Sequence, residues 1–275
     1  MRQFDTRQFG AQRLSKLRRV LSGLAWCLAA VYGVDRALKL LAVHRFLRRP
    51  SPPAPAAWPS VSLLQPITRG ASDLPAALAR RAGLVYQGQF QHILICDAAD
   101  TVTTQLCQSW IAAYPALDAQ LLLLDDSPVA TKVEKLRAAL PVATGEILAF
   151  VDDDILLRPE AIGQLVRHLE DGRAGAVFGL AVYTNWSNIP SSLLSAFVNA
   201  NALLSYIPLT YLADPYTITG HLYALRREVF AAVGGLEGMG LVGHGVEEDQ
   251  ELVAADPGHL VARPRVGGEP VGHVD

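Results

Sequence analysis

The chain has 275 residues, 51% of them hydrophobic and 18% charged, with a formal net charge of −2. That length holds one sizeable α/β domain plus an appendage. Residues 1–50 carry 11 Lys/Arg against two acids, Asp5 and Asp35, while the remainder carries 13 against 24 acids. An acidic body has no electrostatic footprint for nucleic acid, so no nucleic-acid partner is expected.

Residues 1–49 read as a basic N-terminus with a membrane-associated helix. Val20 to Val34 is free of charge. As a helix it spans roughly 22 Å, short of a hydrocarbon core of about 30 Å. Extending it to Val43 takes in Asp35, Arg36 and Lys39, and the spacing of Asp35 and Lys39 lets them pair on one helix face. Arg18 and Arg19 on one side and Arg45, Arg48 and Arg49 on the other suit a membrane surface. Basic flanks at both ends leave the orientation open between a spanning anchor and a shallow interfacial helix. No small-x-small cleavage pattern follows, which disfavours a removable signal. Residues 50–59 are a Pro-rich linker, expected to be extended and semi-rigid.

Residues 60–255 read as the globular domain. Strands are expected at Val61–Gln65, His92–Cys96, Leu121–Leu124, Ile147–Val151 and Ala176–Tyr183. Helices are expected at Asp73–Arg81, Thr103–Tyr114, Thr131–Leu140 and Pro159–Leu169. This alternation predicts an α/β fold with a mostly parallel sheet and helices on both faces. After Tyr183 the pattern is less regular, and Gly234–Gly245 reads as a glycine-rich lid loop. Residues 256–275 are Gly/Pro-rich and read as an irregular, truncated tail. Cys27, Cys96 and Cys107 form no disulfide framework and suit a reducing compartment, which places the domain in the cytosol.

The most informative segment is Glu146 to Ile155. An apolar strand ends in three adjacent carboxylates, Asp152, Asp153 and Asp154. Ligands of open α/β sheets bind beyond the carboxyl ends of the strands. Three like charges raise one another's pKa unless a cation sits among them. Mg²⁺ or Mn²⁺ suits such a place, because a hard cation takes one or two carboxylates and completes its shell with water and phosphate oxygens. The same acids also fit a helix N-terminus. Asp97 and Asp100 follow the second strand. Lys132 opens a helix, where it meets either a phosphate or solvent. Glu247, Glu248 and Asp249 open a helix after the glycine loop. His221 reads as a packing residue before an acceptor contact, and His244 as a solvated loop residue before a phosphate contact.

The order of these pieces resembles glycosyltransferase family 2-like enzymes of the GT-A fold. Within them it is most similar to the ceramide glucosyltransferase group, which has bacterial relatives in hopanoid biosynthesis. The resemblance is carried by Val61–Pro66, Cys96-Asp97 with Asp100, Tyr114-Pro115, Asp118-Ala119, Lys132, Gly145–Ile155, Leu225–Arg227 with Gly234-Gly235, and Glu248-Asp249. It implies a GT-A nucleotide-sugar-binding sheet and an inverting, metal-dependent transfer of a hexose from a UDP-sugar to a lipid hydroxyl. On it, Asp97 or Asp100 binds the uridine, Lys132 and Asp152 belong to the donor site, Asp154 holds the metal, and Asp249 is the general base. The family's Gln/Arg-x-x-Arg-Trp motif has no counterpart, since the tryptophans are Trp26, Trp58, Trp110 and Trp186. Ala130-Thr131-Lys132 stands where the lipid group tends to have Asn-Pro-Lys. These departures keep an inactive, membrane-tethered nucleotide-sugar-binding module as an alternative. A metal-dependent nucleotidyltransferase is a further one, disfavoured because Pro66–Gly70 offers a single Arg and a single Gly where a triphosphate loop belongs.

Overall fold

The structure, a computed structural model, describes residues 6–125, 131–170, 174–212, 218–238, 252–254 and 260–262. Helix α1 (Thr6–Leu47) comes first, then β1 (Val61–Pro66), α2 (Leu74–Arg81), β2 (Phe90–Asp97), α3 (Thr101–Ala113), β3 (Asp118–Leu124), α4 (Lys132–Ala139) and β4 (Ile147–Val151). They are followed by β5 (Ile155–Leu156), α5 (Ala161–Glu170), β6 (Ala176–Phe178), β7 (Ala181–Tyr183), α6 (Ile189–Leu209), β8 (Leu222–Arg226) and α7 (Arg227–Ala232). The last described elements are a short α8 (Gly235–Gly238), β9 (Leu252–Ala254) and β10 (Leu260–Ala262).

Among the described residues, seven strands form one sheet in the order β10-β6-β8-β4-β1-β2-β3, and β5-β9-β7 form a second, smaller one. The strands β4, β1, β2 and β3 are mutually parallel, as the βα rhythm predicts. The sheet as a whole is mixed. Strand β8 runs antiparallel to both β4 and β6, and β10 antiparallel to β6. The expected single strand over Ala176–Tyr183 is two strands in different sheets, broken at Gly179 and Leu180, and the chain changes layer there.

Alternation along the buried strands builds two cores. Leu64, Leu148 and Phe150 face one side, with Leu136 of α4 and Phe230 of α7. Val61, Leu63, Ile147, Ala149 and Val151 face the other, against Ile162, Leu165, Val166 and Leu169 of α5. A sheet covered on both faces reads as continuous apolar runs, which is why these strands were visible in the sequence. Gly145, just before β4, is required by close approach: a Cβ there would lie 2.3 Å from the Ser62 amide nitrogen. Its N–H donates to Ser62 Oγ at 2.8 Å, and that hydroxyl donates to Gln91 Oε1 at 2.6 Å.

The appendage differs from the expectation. Among the described residues, the helix long and apolar enough to cross a membrane is α6 rather than the N-terminal one, with a mean hydropathy of 1.3 over its apolar window. Helix α6 lacks any charged residue, and the absence of an amphipathic period and the interspersed Ser and Asn hid it from pattern reading. Helix α1 is one continuous rod of 42 residues, about 63 Å at 1.5 Å per residue. Its C-terminal end packs against α6. Phe46 is buried there, Tyr211 Oη donates to the Ala42 carbonyl at 3.3 Å, and the Arg49 guanidinium lies 4.5 Å from the Tyr211 ring centroid. Farther along, α1 exposes Val20, Leu24, Trp26, Val31, Leu38 and Leu41. The segment between α1 and β1 lies against the domain: Arg167 donates to the Pro52 carbonyl at 3.3 Å, and the Trp58 and Tyr86 rings meet edge-on at 5.4 Å.

Candidate active site

Parallel strands point their carboxyl ends to one edge of the sheet. Here that edge gathers Ile67 after β1, Asp97 at the end of β2 and Asp152 after β4. Strand β8 runs the other way, so its beginning lies at the same edge. Leu222 pairs with Val151, and the Asp152 amide donates to the His221 carbonyl at 3.0 Å. That antiparallel neighbour brings His221 to the acids, where the sequence suggested packing first and an acceptor contact second.

Asp152 is bracketed by two basic groups. Lys132 Nζ forms an ion pair with Oδ1 and lies 3.4 Å from the Gly220 carbonyl. His221 Nδ1 lies 3.5 Å from Oδ2. The position of Lys132 is fixed by a capping box: Thr131 Oγ1 accepts from the Glu134 amide at 3.3 Å, and Glu134 Oε2 accepts from the Thr131 amide at 2.6 Å. Thr131 thus supplies a defined helix start despite its departure from the family pattern. Asp153 is turned inward, where the Thr68 amide donates to its carboxylate. Burial pushes its pKa above the usual carboxylate range, against the pull of the Thr68 hydrogen bonds.

Asp154 has a different environment. Its Oδ1 is buried and has no hydrogen-bond partner. Burial, followed by the charges of Asp152 and Asp153, pushes its pKa up to about 6. An orphaned carboxylate oxygen beside a second carboxylate fits a hard divalent cation, which would neutralise both. Among the described residues, no group of three or more His, Cys, Asp or Glu side chains converges as a complete metal cage. Such a donor set matches a cation that draws its remaining ligands from water and a substrate diphosphate, as Mg²⁺ and Mn²⁺ do.

Beneath the triple acid lies Arg81, which the sequence reading did not single out. Its side chain is 1% exposed. It occupies the buried stripe of α2 formed by Leu74, Ala77 and Leu78; a charge at an apolar-stripe position was the signal that it had a specific partner. Burial pulls its pKa down to about 9, while Asp154, Asp153 and Asp152 hold it up, so it is protonated at neutral pH.

The two acids expected at the nucleoside differ in what they do. Asp97 is buried and paired with Lys135 at 3.0 Å, and Lys135 Nζ also donates to the Ile67 carbonyl at 2.6 Å. Lys135, one helical turn after Lys132, was not singled out either. Asp100 caps α3: its carboxylate accepts from the Thr103 amide at 3.2 Å, the Thr103 hydroxyl at 2.5 Å and the Gly70 amide at 3.2 Å. Burial opposes these bonds, but they prevail and hold its pKa below the usual range. Both acids therefore tie the loops after β1 and β2 together at the candidate site. Asp249, Glu247, Glu248 and His244 lie outside the described residues. Cys96 and Cys107 are buried free thiols with sulfurs 3.8 Å apart.

Comparison with known proteins decides the family. The profile of Glycosyl transferase family 21 matches residues 24–252, most of the chain. The chain belongs to this family. Its fold is similar to that of the mannosyltransferase PcManGT from Pyrobaculum calidifontis, solved with GDP-Man and Mn²⁺, with a TM-score of 0.54 and 21% identity. That match covers 75% of this chain and 57% of the mannosyltransferase, so the chain spans little more than half of that protein's length. Weaker likenesses include glucosyl-3-phosphoglycerate synthase from Mycobacterium tuberculosis, solved with Mn²⁺, UDP and glucosyl-3-phosphoglycerate. It has a TM-score of 0.39 and 22% identity over 62% of this chain and 57% of that one. The chain is thus a member of Glycosyl transferase family 21 whose mixed α/β sheet is similar in fold to a solved mannosyltransferase.

Proposed function

We propose that this family 21 protein is an inverting hexosyltransferase that moves a sugar from a UDP-sugar to a lipid hydroxyl, with Mg²⁺ or Mn²⁺. The observation that carries the reading is the partnerless, buried Oδ1 of Asp154, next to an Asp152 flanked by Lys132 and His221. Asp154 and Asp152 would hold the cation, which supplies charge neutralisation of the leaving diphosphate. Lys132 would move from Asp152 to a phosphate oxygen when the donor enters. Asp97 and Asp100 order the loops that border the nucleoside side. Asp249 takes the acceptor proton as the acceptor oxygen bonds to the anomeric carbon and the bond to the diphosphate oxygen breaks. Of the expected glycine loop before it, Gly235–Gly238 is instead the short helix α8, and 239–245 lie outside the described residues.

The membrane reading is supported by two helices. Helix α1 carries basic residues at both flanks of its apolar middle, and α6 exposes Ile189, Leu193 and Phe197 at four-residue spacing. On this reading the exposed apolar residues of α1 and α6 would meet a bilayer that holds the lipid acceptor, with the domain on the cytosolic side. Release of UDP from a UDP-sugar by the membrane-bound protein tests this function. Release that requires both divalent metal and lipid supports it; UDP binding without any release favours the tethered binding module.

A further inference from the structure

We infer that Arg81 is the positioning residue of the Asp152–Asp154 turn, and that its two-armed guanidinium, rather than its charge alone, gives the turn its affinity for metal-bound diphosphate. Nη1 donates to the Ile155 carbonyl at 2.7 Å and Nη2 to the Asp152 carbonyl at 3.3 Å. Those two carbonyls flank Asp153 and Asp154, so one rigid fork spans both ends of the turn. Nε donates to Gln65 Oε1 at 3.3 Å, and His92 Nε2 lies 3.0 Å from the same oxygen. The His92 ring is buried and sits edge-on to Trp110 at 5.6 Å. The turn is thereby tied through Arg81 and Gln65 to strands β1 and β2.

Two physical features make this more than a satisfied core arginine. The fork uses backbone carbonyls and so does not occupy the carboxylates: Asp152 meets Lys132 and His221 instead, and Asp154 Oδ1 has no partner. The cation lies within electrostatic reach of all three acids, which lets the like charges be held close before a metal arrives. Lysine in its place keeps the charge but is a point donor and cannot bridge two carbonyls in a fixed plane. Arg81 touches neither donor nor acceptor; it acts through the turn.

The inference rests on the metal reading of Asp154, and the test separates the two. Binding of Mn²⁺ to the full chain in the presence of UDP is followed by the loss of the free-ion electron paramagnetic resonance signal, for wild type, Arg81→Lys and Asp154→Asn. Circular dichroism checks the fold of each. Arg81→Lys is expected to weaken Mn²⁺ binding tenfold or more. In UDP-sugar turnover it raises KM for the donor by a similar factor, changes kcat less than twofold, and is rescued by excess Mn²⁺. If Arg81→Lys does not fold, Gln65→Leu, which removes the third anchor and leaves the arginine, is expected to weaken binding about threefold. A folded Arg81→Lys, or in its absence a folded Gln65→Leu, with wild-type Mn²⁺ affinity overturns the inference and leaves the metal reading standing. Wild type that binds no Mn²⁺ overturns both.

Discussion

Asp97 and Lys135 form an ion pair 3.0 Å long with side chains only 1% and 4% exposed, directly behind the edge where the acids of β4 emerge. Removing one partner strands a charge in the interior, at about 3–5 kcal/mol. Lys135→Met is therefore expected to lower stability by that order, read as a shift in the denaturant midpoint. Replacing both, as in Asp97→Leu with Lys135→Met, is expected to recover most of the loss. Recovery of fold without recovery of UDP affinity would show that the pair also shapes the nucleoside side.

Asp154 sets a pH dependence. Its pKa of about 6 in the folded chain lies above the ordinary 3.8. The folded state binds this proton more tightly than the unfolded state, so the associated stability is present below about pH 4 and is lost as pH rises through about 6. Metal-free protein is thus expected to lose stability between those values from this group. Asp154→Asn removes that loss: its melting temperature exceeds that of metal-free wild type at pH 7, and the gap closes toward pH 4. The same variant loses metal-dependent UDP binding, measured by calorimetric titration with Mn²⁺. Unchanged affinity would remove Asp154 from the metal site.

Gly145 tests the foundation of the edge. A Cβ would lie 2.3 Å from the Ser62 nitrogen and 2.6 Å from the Val61 carbonyl carbon, both backbone atoms that cannot swing aside. Gly145→Ala is expected to destabilise the fold by about 1–3 kcal/mol or more, as overpacking does, seen by thermal unfolding. A neutral effect would mean that β1 and β4 separate easily at this end.

Membrane contact through α6 predicts a division of labour. The basic flanks of α1 bind anionic vesicles in a salt-sensitive way, because exposed charges are screened at about 0.15 M salt within roughly 8 Å. The α6 contribution is apolar and persists in high salt. Leu193→Glu with Phe197→Glu is expected to reduce co-sedimentation with vesicles most clearly at high salt. Retained binding there would assign the membrane contact to α1 alone.

The parallel half of the fold was legible because its strands are doubly buried apolar runs, and Ile147–Val151 matches its predicted bounds. The position of Asp152 and Asp154 at the sheet edge was legible because they directly follow an apolar strand run; their role there is the proposal. Arg81 and Lys135 were not legible, since their roles depend on what lies beneath the turn, several strands away in sequence. The approach of His221 to Asp152 was not legible, because only the antiparallel pairing of β8 with β4 brings them together. Helix α6 was missed because a helix apolar on most sides has no period to detect.

General base catalysis makes a specific demand of Asp249. Asp249→Asn is expected to retain Mn²⁺-dependent UDP binding and to lose transfer by roughly a hundredfold or more. A role confined to capping a helix would predict near-normal transfer instead, since Asn caps as well as Asp.

The central claim is transfer of a hexose to lipid, and one measurement addresses it most directly. Membranes containing the protein are incubated with several labelled UDP-sugars, with Mn²⁺ or with a chelator, and the label in the lipid extract is counted. The account predicts labelled lipid from at least one UDP-sugar, lost with the chelator and lost in Asp154→Asn. No labelled lipid from any UDP-sugar, in a preparation that binds UDP, would contradict it.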